Sequence, residues 1–235
     1  MKRREICDGC AAQGLGRPIP WERREEHGLF EAFWRTGRLA SRSPTAFFRT
    51  PTTVESPLSA VAHGVVSFTV GLLLSYLVAG LLVMLGGGAT ALFVRHEGGE
   101  LLGAALGMYG CAIAGMSPVA LLFGPANALM GLVFAAAAAH GTLALFGKTG
   151  ARFEDTLRAV CYANSPYVWS WVPVLGSLTW FWMLGIEVVA LRETHGCGAD
   201  WAALAALAWR VTLFVVAIGS YAILFGAFFA FLQSR

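Results

Sequence analysis

The chain has 235 residues, 57% of them hydrophobic and 13% charged, with a formal net charge of +3. A soluble domain carries about 25% charged residues, so this composition excludes an ordinary water-soluble fold. Nucleic acid is not among the expected partners.

The first 57 residues form a separate, polar segment. Met1 to Cys10 is basic and polar with no apolar stretch after it, so no signal peptide is expected and the first span acts as its own insertion signal. Cys7 and Cys10 have the Cys-x-x-Cys spacing of half a tetrahedral zinc site. No second cysteine pair follows, so His27 or a second chain would have to complete the site. Two reduced thiols without zinc are the other reading. Residues 1–33 hold six basic and six acidic groups, whereas residues 34–57 hold Arg35, Arg38, Arg42 and Arg49 against Glu55 alone. Leu29, Phe30, Phe33 and Trp34 share one helical face. With the arginines that follow, this face suits either a helix lying on an anionic leaflet or one packed on the membrane bundle. Ser43-Pro44 reads as a helix start, with Phe47 and Phe48 entering the membrane interface.

Residues 58–235 form the membrane domain. Between Glu100 and Lys148, 47 residues pass without Asp, Glu, Lys or Arg. As a helix this run would be roughly 70 Å long at ~1.5 Å per residue, against about 30 Å for a bilayer core. It therefore crosses twice. Prolines at Ser117-Pro118 and Gly124-Pro125 divide it. With the charge-free runs Ser56–Val94, Ala159–Ile186 and Val211–Ser234, the fold class is all-α and polytopic. Five transmembrane helices are expected at about 58–85, 101–122, 125–146, 166–191 and 211–232, with Gly86-Gly87-Gly88 ending the first. Five crossings put the termini on opposite faces. The ten Lys and Arg of the leader place it in the cytoplasm and the C-terminus outside. The loop bearing Lys148, Arg152 and Arg158 then faces outward, against the same rule. A re-entrant hairpin at Ser117–Pro125 would reverse everything downstream.

Small residues recur every fourth position in the second helix (Gly103, Gly107, Cys111, Gly115) and the third (Asn127, Gly131, Ala135, Ala139). Close contact drives helix association in lipid, so these two are expected to pack as an antiparallel pair. Self-association through the same grooves is the alternative. Glu187 is the sole carboxylate within the proposed spans, and intramembrane charge marks candidate function. It either binds a cation or proton, or pairs with headgroups, Arg192 or Arg210. His140 either relays protons or bonds to a neighbouring helix. Trp180 and Trp182, at mid-span, are expected to fill the bundle. In Ala151–Asn164, Phe153, Leu157 and Val160 share a face, so this loop is expected along the membrane surface.

The run Gly150-Ala-Arg-Phe153-Glu-Asp-Thr156-Leu-Arg158-Ala-Val-Cys-Tyr162-Ala-Asn-Ser-Pro166 resembles a hallmark of the Yip-domain family, polytopic relatives of the Rab/Ypt-GTPase-interacting membrane proteins. Trp171-x-Pro173-x-x-Gly176 and Leu191-Arg192-Glu193-x-His195-Gly196 fit its prokaryotic branch. The resemblance implies five helices with a cytoplasmic N-terminus, in a bacterial inner membrane. It implies no catalytic residue, and GTPase binding does not transfer by fold analogy. Eukaryotic members are tied to vesicle traffic and membrane curvature. The expected function is therefore non-enzymatic: organising or shaping the membrane, or scaffolding other membrane proteins. Thr156, Arg158, Tyr162 and Pro166 are the residues expected to matter most. Arg158 is expected at a phosphate headgroup, Tyr162 at the interface, and Pro166 setting the angle of the fourth helix. A small transporter or channel using Glu187 and His140 is the alternative.

Overall fold

A computed structural model describes residues 19–50, 56–93 and 97–233, and among these it contains helices and no strand. Two short turns, Pro20–Arg23 and Arg24–His27, lead into α1 (Leu29–Arg42) and α2 (Pro44–Arg49). Next come α3 (Leu58–Phe93), α4 (Glu97–Gly115), α5 (Ser117–Leu145) and the short α6 (Phe153–Ala163). A 3-10 turn at Ser165–Trp169 precedes α7 (Leu175–His195) and α8 (Ala199–Gln233). Helices α3, α5, α7 and α8 are long and apolar enough to cross a membrane, and α4 supplies a shorter apolar stretch, Gly99–Gly115. The molecule is an all-α polytopic membrane protein.

The directions of the helices follow from who touches whom. Helix α4 runs antiparallel to α3, with Gly103 against Gly87 and Ala91, and Gly110 against Gly80 and Met84. A side chain at any of these four glycines would strike the facing backbone, and their absence lets the two helices close up. Helix α5 continues along α3 in the same sense: Gly124 abuts Thr69, Leu132 abuts Gly64, and Ala136 shares a cluster with Ala60. Helix α6 and the turn after it travel the other way. Cys161 lies at Gly64, Tyr167 at Gly71, and the Ser170 hydroxyl is 3.0 Å from that of Ser75. The chain then reverses through Val174, whose φ of 67° is strained for a β-branched residue. Helix α7 returns antiparallel to α6, placing Ile186 and Ala190 on Ala159 and Ala163. It stops at Gly196, whose left-handed φ of 65° lets its N–H cap the Arg192 carbonyl. Helix α8 departs beside α5 and α7, through Ala202, Ala205 and Ala206 on Leu191, Leu143 and Ala139.

These directions gather the N-terminal segment, the α5–α6 connection and the α7–α8 connection at one broad end. Among the described residues the far end holds the α3–α4 hairpin and the outer part of α8, exposed throughout Val211–Val216 and Ile218–Ile223.

Several expectations change. Gly86-Gly87-Gly88 does not end the first helix, because α3 runs on to Phe93. Away from water a backbone N–H has no partner outside a helix, so glycine stays helical there. Pro125 sits inside α5 rather than at its start. The break falls at Met116, and Pro118 occupies the first turn, where its missing N–H costs nothing. Helices two and three of the sequence, α4 and α5, are therefore not an antiparallel pair. They follow one another along α3, which is the true partner of the α4 glycines. The fourth helix begins at Leu175, not Pro166, and the fifth at Ala199, not Val211. Charge gaps mark where a helix is greasy, not where it starts. Most of the Ala151–Asn164 loop is no surface element either: Arg152–Glu154 are exposed, but every residue from Thr156 to Pro166 is buried.

Candidate functional site

The Gly150–Pro166 segment forms the centre of the broad end, and residues 19–50 of the N-terminal segment are folded onto it. Asp155 starts α6 by accepting the Arg152 N–H at 3.2 Å, and with Glu154 it suits the positive helix terminus. Trp21 fastens the leader. Its backbone N–H donates to Thr36 Oγ1 at 2.9 Å and its indole Nε1 to the Ser59 carbonyl at 2.6 Å. The rings of Trp21, Phe33 and Tyr162 surround His63 at centroid distances of 5.4, 4.9 and 5.4 Å.

Glu22 makes the electrostatic contact. Its buried carboxylate accepts the Tyr162 hydroxyl at 3.3 Å and lies 3.9 Å from Arg158 Nε. Arg158 Nη2 also donates to the Ser56 carbonyl at 3.1 Å. Arg158 thus reaches a protein carboxylate and not a headgroup, because α6 is turned inward and its side chain is only 10% exposed. Tyr162 is likewise buried rather than interfacial. Burial pushes its phenol well above the usual range, the neighbouring Glu22 charge adds to this and Arg158 opposes it, so the hydroxyl stays a donor. Burial also pushes the adjacent Cys161 thiol up to about 12.

A second polar cluster ties α5, α6 and α7 together. The Gly150 N–H donates to His195 Nδ1 at 3.3 Å. A neutral His195 then carries its proton on Nε2 and donates to Thr156 Oγ1 at 2.9 Å. That hydroxyl is 2.8 Å from His140 Nδ1, with the Arg152 carbonyl its longer alternative at 3.3 Å. Phe153 covers His140 edge-on at 5.8 Å.

A third joins α7 to α8. Glu187 pairs with Arg210 at 2.7 Å, both side chains less than a tenth exposed, and accepts the Trp209 indole N–H at 3.2 Å. Glu187 and His140 are therefore engaged in separate contacts and do not meet.

Of the other expected residues, Pro166 opens the 3-10 turn, while the exposed Pro173 and half-buried Gly176 shape the reversal before α7. Gly103 packs on α3, Ala135 joins the Ala60 cluster and Ala139 the Ala202 cluster. Gly107 is half-buried, and Gly115 and Gly131 are exposed. Trp180 and Trp182 point outward, 45% and 44% exposed, instead of filling the bundle. Cys7 and Cys10 lie outside the described residues.

Sequence reasoning missed Trp21, Glu22 and His63. Glu22 stands in a run of balanced charge that reads as solvated. The usable signal was Arg158, a charge on the face of α6 opposite Phe153, Leu157 and Val160, which needed a carboxylate from elsewhere once that face was covered.

The architecture defines a class: polytopic helical membrane proteins whose polar N-terminal segment docks on a buried helix between the third and fourth apolar stretches. The chain belongs to the Yip1 domain family, which matches residues 39–221. Neither a curated protein nor a solved structure matches it.

Proposed function

We propose that the protein is a non-enzymatic, membrane-shaping scaffold of a bacterial inner membrane, with its broad end toward the cytoplasm. The observation that carries this is the taper. At the broad end α1, α2, α6 and α7 pack around α3, α5 and α8. At the other end, among the described residues, the α3–α4 hairpin and the outer part of α8 remain. An inclusion wider in one leaflet than the other spreads that leaflet and bends the bilayer.

Orientation follows from charge. Arg23, Arg24, Arg49, Lys148, Arg152, Arg158 and Arg192 all belong to the segments gathered at the broad end. The outward loop that contradicted the positive-inside rule disappears, since Lys148, Arg152 and Arg158 now share the leader's side. The transporter alternative loses support: Glu187 is neutralised by Arg210, and His140 is held by Thr156. Further copies of this chain, or other membrane proteins, are the partners such a scaffold would gather.

The test is reconstitution of the full chain into extruded vesicles at rising protein-to-lipid ratio, imaged by electron cryomicroscopy. Vesicle diameter is expected to fall as protein density rises. A diameter independent of density overturns the shaping role.

A further inference from the structure

Among the ten described arginines, seven pair with carboxylates: Arg23, Arg35, Arg49, Arg152, Arg158, Arg192 and Arg210. Arg24 donates to Ser59 and stands over the Trp21 ring. The two left over are Arg38 and Arg42. They lie four apart on α1, hence on one helical face, and both line the same groove.

That groove, about 610 Å³, runs between α1 and the first half of α7. Trp34, Trp169, Leu178 and Trp182 give it apolar walls. Its α7 wall is continuous with outward-facing apolar surface, because Leu175, Leu178, Phe181 and Trp182 are all exposed. The cavity is therefore open sideways to hydrocarbon and bordered by two uncompensated guanidinium groups. An arginine presents a planar fork suited to phosphate oxygens, and the walls match an acyl chain.

We infer that this groove holds one anionic glycerophospholipid, its phosphate on Arg38 and Arg42 and an acyl chain along Leu178 and Trp182. The occupant is charge-complementary to a site whose cations nothing else in the described chain neutralises. A zwitterionic lipid brings its own cation and gains less. The bound lipid bridges α1 to α7 and so stiffens the docking of the leader, independently of whether the protein bends membranes.

The experiment uses the full-length protein, delipidated in detergent, with phosphatidylglycerol as the probe and phosphatidylcholine as the reference. Retained lipid is read by native mass spectrometry. Wild type is expected to keep one phosphatidylglycerol against excess phosphatidylcholine. The double variant Arg38→Gln, Arg42→Gln should weaken retention by at least about tenfold, since each arginine at a membrane surface is worth roughly 1 kcal/mol. Arg35→Gln, on the same helix but paired with Glu31, should retain it. Leu178→Trp fills the apolar wall and should expel the lipid with both arginines intact, and thermal unfolding confirms that each variant is folded. Phosphatidylglycerol bound equally by the double variant, or unaffected by Leu178→Trp, overturns the proposal. Displacement by millimolar inorganic phosphate would identify a free-phosphate site and overturn it equally.

Discussion

The broad and slim ends of this protein are joined by the same long α3, yet they hold together by different means. At the broad end the helices and the leader are joined through buried polar groups as well as methyls: His63 of α3 inside three rings, Arg158 of α6 with Glu22 of the leader, Thr156 of α6 between histidines of α5 and α7. At the slim end α3 meets α4 through Gly80, Gly87, Gly103 and Gly110, with backbone close on backbone and the small or apolar side chains of Met84, Ala91, Leu106 and Ala114 beside it. Polar contacts in a dry environment are directional and costly to leave half made. Glycine contacts are close but carry no such penalty. The broad end is therefore expected to behave as one cooperative unit and the slim end as a separable one.

The largest expected effect tests the pair at the edge of the cooperative unit. Glu187→Gln leaves Arg210 buried without its counter-charge, which costs about 3–5 kcal/mol. The variant should unfold at a clearly lower temperature in detergent. Replacing both residues by leucine removes both charges and should restore most of the loss. A single variant that melts with wild type would show that water already reaches the pair.

A smaller effect separates the leader from the rest. Arg158→Ala takes the α6 guanidinium away from the Glu22 carboxylate and leaves the Tyr162 hydroxyl as its contact to α6, a cost of about 1–3 kcal/mol, and should raise hydrogen exchange across residues 19–50. Cys161 reports the same event. Burial holds its thiol at about 12, far above neutral pH, so little reactive thiolate exists and maleimide should not label it at pH 8 in the wild type. Labelling of Cys161 should appear in Arg158→Ala. Unchanged exchange and unchanged labelling would mean that the aromatic cage alone seats the leader.

The apolar helices were legible because missing charge is a long-range signal that no local preference can imitate. Their partners were not. Small residues at Gly103 and Gly107 announce a close contact without naming the helix that makes it, and two candidates flanked α4 in sequence. The Gly86-Gly87-Gly88 run misled for a related reason: its meaning in water, a helix end, is reversed where the backbone has no solvent to bond. The inward turn of α6 was hidden by amphipathicity. Phe153, Leu157 and Val160 make the same stripe whether the opposite face meets water or meets Glu22 and His195. Arg158 on that face could be read as reaching for lipid until the leader, 136 residues earlier in the chain, supplied Glu22.

The smallest effect on overall stability should come from the slim end, and it discriminates most sharply between one folding unit and two. Gly80 faces Ala114 and the Gly110 carbonyl, whereas Gly86 on the same helix faces open space. Gly80→Leu must push α4 away; Gly86→Leu need not. Cys111 Sγ lies 3.8 Å from Met84 Sδ across the hairpin, so Met84→Cys creates a pair that a short bifunctional thiol reagent can bridge. Bridging should proceed in the Met84→Cys background and with Gly86→Leu added, and fail with Gly80→Leu added. All three should share one melting temperature for the broad end, because none touches His63, Arg158 or Glu187. If Gly80→Leu lowers that temperature as far as Glu187→Gln does, α3 transmits strain along its whole length, and the two ends are a single cooperative structure after all.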